Sequence, residues 1–455
     1  MALHRLFVAN RGEIALRIVR AAQALNIETV VGVSAADVDS AAARLADRAV
    51  VLGPGPAAKS YLDPQLVVHA ARETGCDALH PGYGFLSERS ILPRLCDANG
   101  VAFVGPEADM IDALGDKLRA RAMAAVVGVP LVPGSEEIAS AADARREADR
   151  IGYPVLLKAS AGGGGRGMVI AHDGDEVEAG FAKASAEALA AFSDGTLFME
   201  RFVGRARHVE VQLMGDGQGK VLHFGERDCS VQRRYQKLIE EAPCTAMPDA
   251  LRAQLHAAAV GLAASVNYRN AGTAEFLYDV DRQEVYFIEV NARIQVEHPV
   301  SEMVTREDLV QWQLRIAGGE ALSLEQGDIR IAGHAIECRI NAEDPALDFR
   351  PTPGRVTCWR PPEGEGIRLD THITEGAMIP PFYDSMIGKL IVTGDDRAQA
   401  IERLQAAIAG FRVEGVPTTL GLHREIVSHP DFVANTIHTR WLEQTVLPGL
   451  GLGAE

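Results

Sequence analysis

The stretch from Glu284 to Pro299 carries the densest set of side chains that could do chemistry. From Ile288 to Glu297 apolar and polar residues alternate strictly, and a period of two is typical of an extended strand with one apolar and one polar face. The polar face consists of Glu289, Asn291, Arg293, Gln295 and Glu297. Two carboxylates, two amides and a guanidinium in a row suit a cation and an anion held side by side.

The segment before this strand predicts its partner in a hairpin. Residues 273–279 read as a strand, and a polar turn at 280–283 leads into the next strand. In one register Glu275 lies directly opposite Glu289, and like charges opposed in this way destabilise a sheet. The pairs of that register are Glu275 with Glu289, Leu277 with Phe287 and Asp279 with Val285.

A divalent cation would remove the repulsion between Glu275 and Glu289. Hard cations such as Mg²⁺ take oxygen ligands, and Asn291 offers another oxygen two residues further along the same face. The sequence therefore predicts a metal site on this hairpin. An ordinary exposed hairpin that carries two acids is the alternative.

Length, charge and cysteine usage limit the class of protein. The 455 residues are too many for one compact core, and roughly two to four domains are expected. The formal net charge of −17 argues against a nucleic-acid surface, which needs a basic face. No apolar run approaches the ~18 residues of a membrane span, and residues 5–10 read as a strand, not a signal peptide. Six cysteines without Cys-x-x-Cys spacing favour a reducing, cytoplasmic compartment.

Lysine is rare in this sequence. Seven of the 45 basic residues are lysines, so the other 38 are arginines. The lysines stand at positions 59, 117, 158, 183, 220, 237 and 389. A lysine that remains in so arginine-rich a composition is a candidate for a specific role.

The elements that position these residues begin with a repeated alternation of strands and helices over the first hundred residues. Strands are predicted at 6–9, 29–33, 49–52, 78–79 and 101–104. Such alternation is the signature of a parallel, doubly wound sheet. The first turn lacks G-x-G-x-x-G, so a dinucleotide role is not supported.

Residues 153–170 predict a strand, a glycine loop and a second strand. The loop matches G-x-G-x-x-G, but that fingerprint must open a helix, and here another strand follows. Walker A is excluded as well, because no Gly-Lys-Ser/Thr is present. What remains is a hairpin loop whose backbone amides could cover a polyphosphate, with Lys158 beneath it. A plain glycine linker, the alternative, fits poorly between two apolar strands.

A short basic window lies further along this acidic chain. It contains Arg227, Arg233, Arg234 and Lys237. Such a cluster indicates a local anion site, and a solvated basic loop is the competing interpretation.

Taken in order, these motifs resemble the ATP-grasp superfamily and, within it, the biotin carboxylase family. The most specific segments are residues 226–234 and 289–299, and the resemblance runs from Ala9 to Lys389. It implies an α/β fold with a Rossmann-like pre-ATP-grasp domain, a mobile glycine-loop lid, an ATP-grasp core and a C-terminal biotin carboxylase domain. The implied boundaries are 1–112 for the N-terminal domain, 113–130 for a connecting helix, 131–203 for the lid, 204–330 for the catalytic core and 331–455 for the C-terminal domain.

The resemblance also implies the reaction and its components. ATP and bicarbonate would carboxylate biotin through carboxyphosphate, giving N1-carboxybiotin, ADP and phosphate, with Mg²⁺ or Mn²⁺ as the metal. Biotin would be a carrier-bound substrate. In biotinylated domains of such enzymes the modified lysine lies between two methionines, and none of the seven lysines here does. A separate biotin carboxyl carrier protein and a carboxyltransferase are therefore implied, as in acetyl-CoA or acyl-CoA carboxylases of fatty acid biosynthesis. The chain could instead be trimmed from a longer enzyme.

Family members of this length are usually homodimers, and neither a nucleic acid nor a membrane is expected as a partner. The final carboxyl acceptor stays open between acetyl-CoA, another acyl-CoA, pyruvate and urea. Two other functions remain as alternatives. One is an ATP-grasp carboxylate–amine ligase with a different acceptor, and the other is a catalytically silent nucleotide-binding subunit.

By the same resemblance, each site residue receives a role. ATP would be bound by Lys117, Lys158, Gly163, Gly164, Gly165, Glu200, Arg201, Val203, His208, Gln232, Tyr235, Lys237, Glu275 and Glu289. Bicarbonate would be bound by Lys237, Arg293, Gln295 and Val296, and the metal by Glu275, Glu289 and Asn291. Biotin would be bound by Tyr83, Arg339 and Asp384, with Glu88 nearby. Glu297 would be the catalytic base, assisted by Arg293, Arg339 and Lys237.

Two positions depart from the family pattern. Tyr235 stands where the family usually has His or Asn, and Arg201 where many members have Lys. Both belong to the implied nucleotide site, so they bear on nucleotide affinity and not on the class of reaction.

Overall fold

The first hundred residues form the predicted parallel, doubly wound sheet. Its strand order is β3-β2-β1-β4-β5, and all neighbours pair in parallel. The elements are β1 (Arg5–Val8), α1 (Gly12–Ala24), β2 (Glu28–Ser34), α2 (Ala41–Leu45), β3 (Arg48–Gly53), α3 (Pro64–Glu73), β4 (Ala78–His80), α4 (Ile91–Ala98) and β5 (Ala102–Phe103). Leu6, Phe7 and Val8 are fully buried, as expected for a central strand covered on both faces.

The computed structural model describes residues 3–160, 168–192 and 194–452, without the side chains of residues 117, 118 and 192. In these ranges no helix combines the length and the apolar character needed to cross a bilayer.

A three-stranded antiparallel sheet, with the order β7-β6-β8, follows three helices. The elements are α5 (Ala108–Gly115), α6 (Lys117–Val126), α7 (Ala141–Ile151), β6 (Val155–Ala159), β7 (Val169–Ala171), α8 (Gly174–Phe192) and β8 (Leu197–Arg201). β6 and β7 pair antiparallel, so the predicted strands on either side of the glycine loop are confirmed. The loop glycines themselves lie outside the described residues.

An eight-stranded sheet, with the order β13-β12-β9-β10-β11-β14-β21-β19, forms the largest part of the molecule. Its first half contains β9 (Ala206–Asp216), β10 (Val221–Arg233), β11 (Gln236–Ala242), α9 (Asp249–Ser265), β12 (Arg269–Asp279), β13 (Glu284–Asn291), α10 (His298–Thr305) and α11 (Leu309–Ala317). β11 pairs with β14 from the C-terminal segment, so one sheet continues across the implied boundary at residue 330. The division into domains stays a prediction.

The C-terminal segment completes this sheet and adds a helical layer. Its strands are β14 (His334–Asn341), β15 (Glu343–Asp344), β16 (Arg350–Pro351), β17 (Gly354–Arg355), β18 (Cys358–Arg360), β19 (Ile367–Thr371), β20 (Met378–Ile379), β21 (Met386–Gly394) and β22 (Arg412–Glu414). Its helices are α12 (Arg397–Gly410), α13 (Leu420–Ser428), α14 (Pro430–Val433) and α15 (Leu447–Gly449). Ile401, Leu404 and Ile408 of α12 are buried, and their three- and four-residue spacing places them on one face of the helix.

The register of the β12–β13 hairpin agrees with the prediction at the acidic pair and differs beyond it. Glu275 pairs with Glu289 as predicted, but a bulge follows, and Leu277 pairs with Tyr286. The predicted pairing of Leu277 with Phe287, and of Asp279 with Val285, is therefore wrong. The cause is one extra residue on β13, Ile288, which shifts the rest of the strand by one position.

The predicted strand also ends earlier than expected. β13 stops at Asn291, and Glu297 is the N-cap of α10. Pro299 lies in the first turn of that helix, where its fixed φ and missing N–H favour helix initiation. Beyond Asn291 the alternation therefore marks neither a strand nor two faces of different burial, since Gln295 and Glu297 are buried like Ile294.

Candidate active site

A cavity of about 900 Å³ is lined by residues of the N-terminal unit, the three-stranded sheet and the eight-stranded sheet. All predicted site residues with described side chains line it. They are Tyr83, Lys158, Glu200, Arg201, Val203, His208, Gln232, Tyr235, Lys237, Glu275, Glu289, Asn291, Arg293, Gln295, Val296, Glu297, Arg339 and Asp384. The side chain of Lys117 and the glycines Gly163, Gly164 and Gly165 lie outside the described part of the chain.

Lys237 is surrounded by three carboxylates. Its Nζ donates to Glu210 Oε2 at 2.6 Å, to Glu297 Oε1 at 2.7 Å and to Glu275 Oε1 at 3.1 Å. Burial lowers the pKa of Lys237, but the three carboxylates raise it well above its ordinary value. The ammonium therefore stays charged at neutral pH and ties β9, β11, β12 and the start of α10 together.

Glu297 is held between two cations at the start of α10. Its Oε1 accepts from Lys237, and its Oε2 accepts from Arg339 Nη2 at 2.9 Å. Burial raises the pKa of Glu297, yet Lys237, Arg339 and Arg227 together lower it well below its ordinary value. Arg339 is fixed in turn, because its Nε donates to Glu240 Oε1 at 2.6 Å. A fully buried carboxylate is thus kept ionised, which is the state that a proton acceptor needs.

The other basic residues near Lys237 in sequence do not form the predicted anion site. Arg227 is fully buried, and its Nε donates to Glu210 Oε1 at 2.6 Å. Arg233 and Arg234 both form ion pairs with Asp348. Of the four basic residues in that window, only Lys237 lines the cavity. The prediction is wrong for the other three because carboxylates distant in sequence already pair with them.

The predicted metal ligands fit a hard cation in their donor chemistry. Glu275 and Glu289 are directly opposed on β12 and β13, so their side chains share a face, and carboxylate oxygens are ligands that Mg²⁺ prefers. Asn291 Nδ2 donates to Glu275 Oε1 at 2.8 Å, and Asn291 Oδ1 accepts from Arg293 Nη2 at 2.9 Å. As a metal ligand Asn291 would offer Oδ1, the oxygen that accepts from Arg293 in this arrangement.

Arg293 links the predicted metal residues to the predicted bicarbonate residues. Its Nη1 donates to Gln295 Oε1 at 2.7 Å, and its Nε donates to Glu88 Oε2 at 2.9 Å. Gln295 Nε2 in turn donates to Glu275 Oε1 at 3.0 Å. The Gln295 amide is therefore held by a predicted metal ligand, Glu275, whereas the carboxylate that holds Arg293 is Glu88.

His208 and Gln232 form a hydrogen-bonded chain to the same carboxylate. Gln232 Nε2 donates to His208 Nδ1 at 2.8 Å, and His208 Nε2 donates to Glu275 Oε2 at 2.9 Å. Because the amide donates to Nδ1, the imidazole carries its proton on Nε2. Glu275 is therefore shared by Lys237, Asn291, Gln295 and His208.

The nucleotide residues on the three-stranded sheet centre on Glu200. Its Oε1 accepts from Arg121 Nη1 at 2.5 Å, and its Oε2 accepts from Lys158 Nζ. Val203, which follows β8, is buried and also lines the cavity. This part of the wall therefore combines one carboxylate, two cations and an apolar surface.

The two residues that depart from the family pattern differ in how firmly they are held. Arg201 Nη2 donates to the hydroxyl of Tyr286 and lies 3.4 Å from Glu284 Oε2. Tyr235 is 63% exposed and lies in the turn between β10 and β11. Arg201 is thus anchored to β13, whereas Tyr235 stands at the mouth of the cavity.

The predicted biotin residues lie against a buried polar group. The Tyr83 hydroxyl donates to Glu13, and Lys389 Nζ lies 3.2 Å from Glu13 Oε1. Lys389 Nζ also donates to the carbonyl of Val296 at 2.9 Å, which connects this group to the bicarbonate loop. Asp384, by contrast, is exposed at the rim.

Glu337 lies two residues before Arg339 on β14 and is fully buried. Neither of its carboxylate oxygens has a hydrogen-bond partner within the described ranges. Burial raises the pKa of Glu337, the Lys389 ammonium lowers it and the Glu240 carboxylate raises it again. The resulting pKa lies well above the ordinary value of a glutamate. The side chain of Glu337 is therefore favoured as a neutral carboxylic acid.

Sequence reasoning missed several residues of this site. They are Glu13, Arg121, Glu210, Glu240 and Lys389. For Glu210 a signal existed, because His208, Glu210 and Gln212 share one parity of an alternating strand. For Arg121 there was none, since it contacts a residue 79 positions away.

Comparison with known proteins covers nearly the whole chain. Three family profiles match: the biotin carboxylase N-terminal domain at residues 2–111, the carbamoyl-phosphate synthase L chain ATP-binding domain at 116–325, and the biotin carboxylase C-terminal domain at 337–444. The biotin carboxylase of a Nostoc species is 48% identical over 445 residues, which are 98% of this chain and 99% of that protein.

Solved structures give the same result. A biotin carboxylase–β-γ-ATP complex from Campylobacter jejuni has a TM-score of 0.92 and 41% identity, over 97% of this chain and 98% of that one. The biotin carboxylase domain dimer of the Hydrogenobacter thermophilus 2-oxoglutarate carboxylase, with MgADP, ADP and bicarbonate, has a TM-score of 0.91 and 42% identity over 100% of both chains.

Proposed function

The chain belongs to the biotin carboxylase family of ATP-dependent ligases, and on that premise we propose that the residues of its cavity divide the carboxylation of biotin among them as follows. The observation that carries the proposal is the ionised, fully buried Glu297 between Lys237 and Arg339. Bicarbonate is a weak nucleophile until it loses its proton, so a carboxylate base beside cations is the arrangement that its activation needs.

Bicarbonate would bind against Lys237, Arg293, Gln295 and the backbone amide of Val296. A second anion beside Lys237 and Arg339 shares their charge with Glu297, and the pKa of Glu297 then rises toward that of an effective base. Deprotonated bicarbonate attacks the γ-phosphoryl group of ATP and yields carboxyphosphate and ADP. The positive charges of Lys237 and Arg293 would stabilise the oxygens on which negative charge develops.

Biotin would react next to Arg339, the member of this charge network that is proposed to contact its ureido oxygen. Carboxyphosphate breaks down to CO₂ and phosphate, and phosphate takes the proton from biotin N1. Arg339 then stabilises the enolate-like ureido oxygen, while N1 attacks CO₂. Tyr83 and Asp384 border this position, and the hydrogen bond from Tyr83 to Glu13 fixes the orientation of the phenol ring.

The nucleotide would lie along the three-stranded sheet and β9. The residues proposed for it are Lys117, Lys158, Gly163, Gly164, Gly165, Glu200, Arg201, Val203, His208, Gln232, Tyr235, Lys237, Glu275 and Glu289. Glu275, Glu289 and Asn291 would hold Mg²⁺ or Mn²⁺, which neutralises phosphate charge when bound. The directly opposed carboxylates of Glu275 and Glu289 support this assignment.

The partners and the compartment follow from the same family. We propose a biotin carboxyl carrier protein and a carboxyltransferase as partners, a homodimer as the assembly, and the cytoplasm as the location. No lysine of the chain lies between two methionines, and all six cysteines are buried and unpaired. The acceptor would be chosen by the transferase, so identifying a co-purifying carboxyltransferase would distinguish acetyl-CoA, another acyl-CoA, pyruvate and urea.

Bicarbonate-dependent ADP release, measured with and without free biotin, tests the proposed function. We expect biotin to stimulate the release and carboxybiotin to accumulate. Turnover that ignores biotin would instead indicate a carboxylate–amine ligase with another acceptor. ATP binding without any turnover would indicate a silent nucleotide-binding subunit. Either result contradicts the proposal.

A further inference from the structure

Glu200 is a buried carboxylate with a cation on each oxygen. Its side chain is 6% exposed, with Arg121 Nη1 at 2.5 Å from Oε1 and Lys158 Nζ on Oε2. All three side chains line the cavity. One negative charge is thus compensated twice in a place where one cation would suffice.

The two cations come from different parts of the fold. Lys158 and Glu200 lie on the same face of the three-stranded sheet, because Leu156 pairs with Glu200 and Lys158 is two residues further along β6. Arg121 reaches the carboxylate from α6, outside that sheet. The Arg121 side chain is 19% exposed and the Lys158 side chain 31%, so Lys158 is the more open of the two.

The proposed role of Lys158 requires it to change partners. An ammonium held on a buried carboxylate reaches a nucleotide phosphate only by loosening its hold on that carboxylate. If Lys158 were the sole partner, this exchange would leave Glu200 buried and unpaired, which is strongly unfavourable. With Arg121 on the other oxygen, Glu200 remains compensated throughout.

We propose that Arg121 is a positioning residue for the nucleotide: it is the permanent counter-ion of Glu200 and thereby frees Lys158 to exchange that carboxylate for a phosphate group. The inference rests on the proposed role of Lys158 as a phosphate ligand. It adds a residue that makes no contact with the phosphates and acts through two others. The nucleotide affinity of the chain then depends on a charge balance and not only on direct contacts.

The test compares Arg121→Leu with Arg121→Lys in the full-length protein, using ATP as the probe. We expect Arg121→Leu to raise both the Kd and the KM for ATP about tenfold or more, because Lys158 stays locked on Glu200. The kcat at saturating ATP should change by no more than about twofold, which is the signature of lost binding and not of lost chemistry. Arg121→Lys should restore most of the affinity, to within about threefold of the unmodified chain.

A double-mutant cycle separates this role from a structural one. In the Glu200→Gln background no carboxylate needs a counter-ion, so Arg121→Leu should then change the ATP Kd by no more than about twofold. Equal effects of Arg121→Leu in both backgrounds, or no effect in either, would overturn the inference. Arg119→Leu, an exposed position on the same helix, is the matched control and should change the ATP Kd by less than about twofold.

Failure of the underlying assignment gives a different result. If Lys158→Met leaves the ATP Kd unchanged, Lys158 is not a phosphate ligand and the proposed function loses that residue. If Lys158→Met weakens ATP binding but Arg121→Leu does not, the assignment of Lys158 stands and the counter-ion role of Arg121 is wrong. Circular dichroism melting of each variant confirms that the comparison is made on folded protein.

Discussion

The end of the cavity proposed for bicarbonate, with Lys237, Arg293 and Glu297, and the end proposed for the nucleotide, with Lys158, Glu200 and Tyr235, are built in different ways; they are called the bicarbonate end and the nucleotide end below. At the bicarbonate end, Lys237 and Glu297 are held by several charged partners, and Glu297 is fully buried. At the nucleotide end, Tyr235 is 63% exposed and stands in a turn. The difference indicates that charge is fixed in advance where bonds are made and broken, as electrostatic catalysis requires, whereas the nucleotide meets a more open wall.

Four carboxylates at the bicarbonate end share one network of ion pairs with lysine and arginine side chains. The carboxylates are Glu210, Glu240, Glu275 and Glu297, and their partners are Lys237, Arg227 and Arg339. Burial raises the pKa of Glu240, Arg339 lowers it and Glu297 raises it again, to about 7. One carboxyl group of this network therefore titrates near neutral pH.

The largest expected effect is the loss of the base at the bicarbonate end. Glu297→Gln should lower biotin carboxylation by about 10³-fold, because a positioned general base contributes 10²–10⁴-fold and an amide cannot accept the proton. The ATP Kd should change by less than about threefold if the two ends are independent. Phosphate release in the presence of bicarbonate and biotin measures the first quantity, and calorimetry with ATP the second.

Glu320→Gln, an exposed position outside the cavity, serves as the control for this experiment and should leave both quantities unchanged. A Glu297→Gln protein that no longer binds ATP would contradict the separation of the two ends.

The second effect concerns stability. Arg227 is fully buried and donates to Glu210, Gln212, Ser301 and Thr273. Arg227→Met should therefore destabilise the fold by about 3–5 kcal/mol, because it breaks a buried ion pair at Glu210 Oε1 and removes the donor from three other buried oxygens, while Lys237 still pairs with Glu210 Oε2. Denaturant unfolding followed by tryptophan fluorescence measures the change.

Arg234→Met provides the comparison from the rim. Arg234 pairs with Asp348 at 3.3 Å, and both side chains are more than half exposed, so its loss should cost no more than about 1 kcal/mol. Equal losses for the two variants would show that the buried network contributes nothing beyond an ordinary surface pair.

The third effect is a pH dependence that originates in Glu240. Its folded-state pKa of about 7 lies above the ordinary value of 4.5, so the folded state binds this proton more tightly than the unfolded state does. The resulting stabilisation is present below pH 4.5 and is lost as the pH rises toward 7. A difference of this size corresponds to roughly 3 kcal/mol.

Glu240→Gln should remove this loss. The neighbouring Glu241 gives the opposite sign. Burial raises its pKa, but Arg397 and His334 lower it well below the ordinary value, so its stabilisation is present at neutral pH and lost in acid. In urea unfolding, the stability of Glu240→Gln relative to the unmodified chain should rise between about pH 4.5 and pH 7. That of Glu241→Gln should fall as the pH rises toward about 4.5 and stay constant above it, and a Glu241→Gln curve that rises with pH would refute the assignment.

The parts of the fold that the sequence predicts are those with a regular period. Alternating strands and helices indicate the parallel sheet, and two apolar strands around a glycine loop indicate the β6–β7 pair. The end of β13 and the bulge at Ile288 could not be predicted, because alternation is preserved while the backbone departs from the strand. The pairing of Leu277 with Tyr286 and the N-cap of α10 at Glu297 reveal these departures.

The candidate site likewise contains residues that the sequence predicts and residues that it does not. Residues 289–297 contain several of the proposed metal and bicarbonate groups, so their proximity is visible in the sequence itself. Glu240, Glu210 and Arg121 could not be recognised, since their roles come from pairings with Arg339, Lys237 and Glu200 across the fold. A side chain whose role is to compensate another charge has no motif of its own.

The smallest expected effect tests how open the nucleotide end is. Tyr235 has a φ of +65°, in the left-handed region that non-glycine residues seldom adopt, so the turn presents its ring at the cavity mouth. If ATP contacts only the face of the Tyr235 ring, Tyr235→Phe should change the ATP Kd by less than about twofold. Tyr235→Ala should then weaken ATP binding by roughly fivefold, because the aromatic surface is lost. Calorimetric titration with ATP measures both.

Equal weakening by the two variants would mean that the hydroxyl makes the contact. A loss beyond about a hundredfold in Tyr235→Ala would match a fully desolvated contact, and the nucleotide end would then be as firmly preorganised as the bicarbonate end.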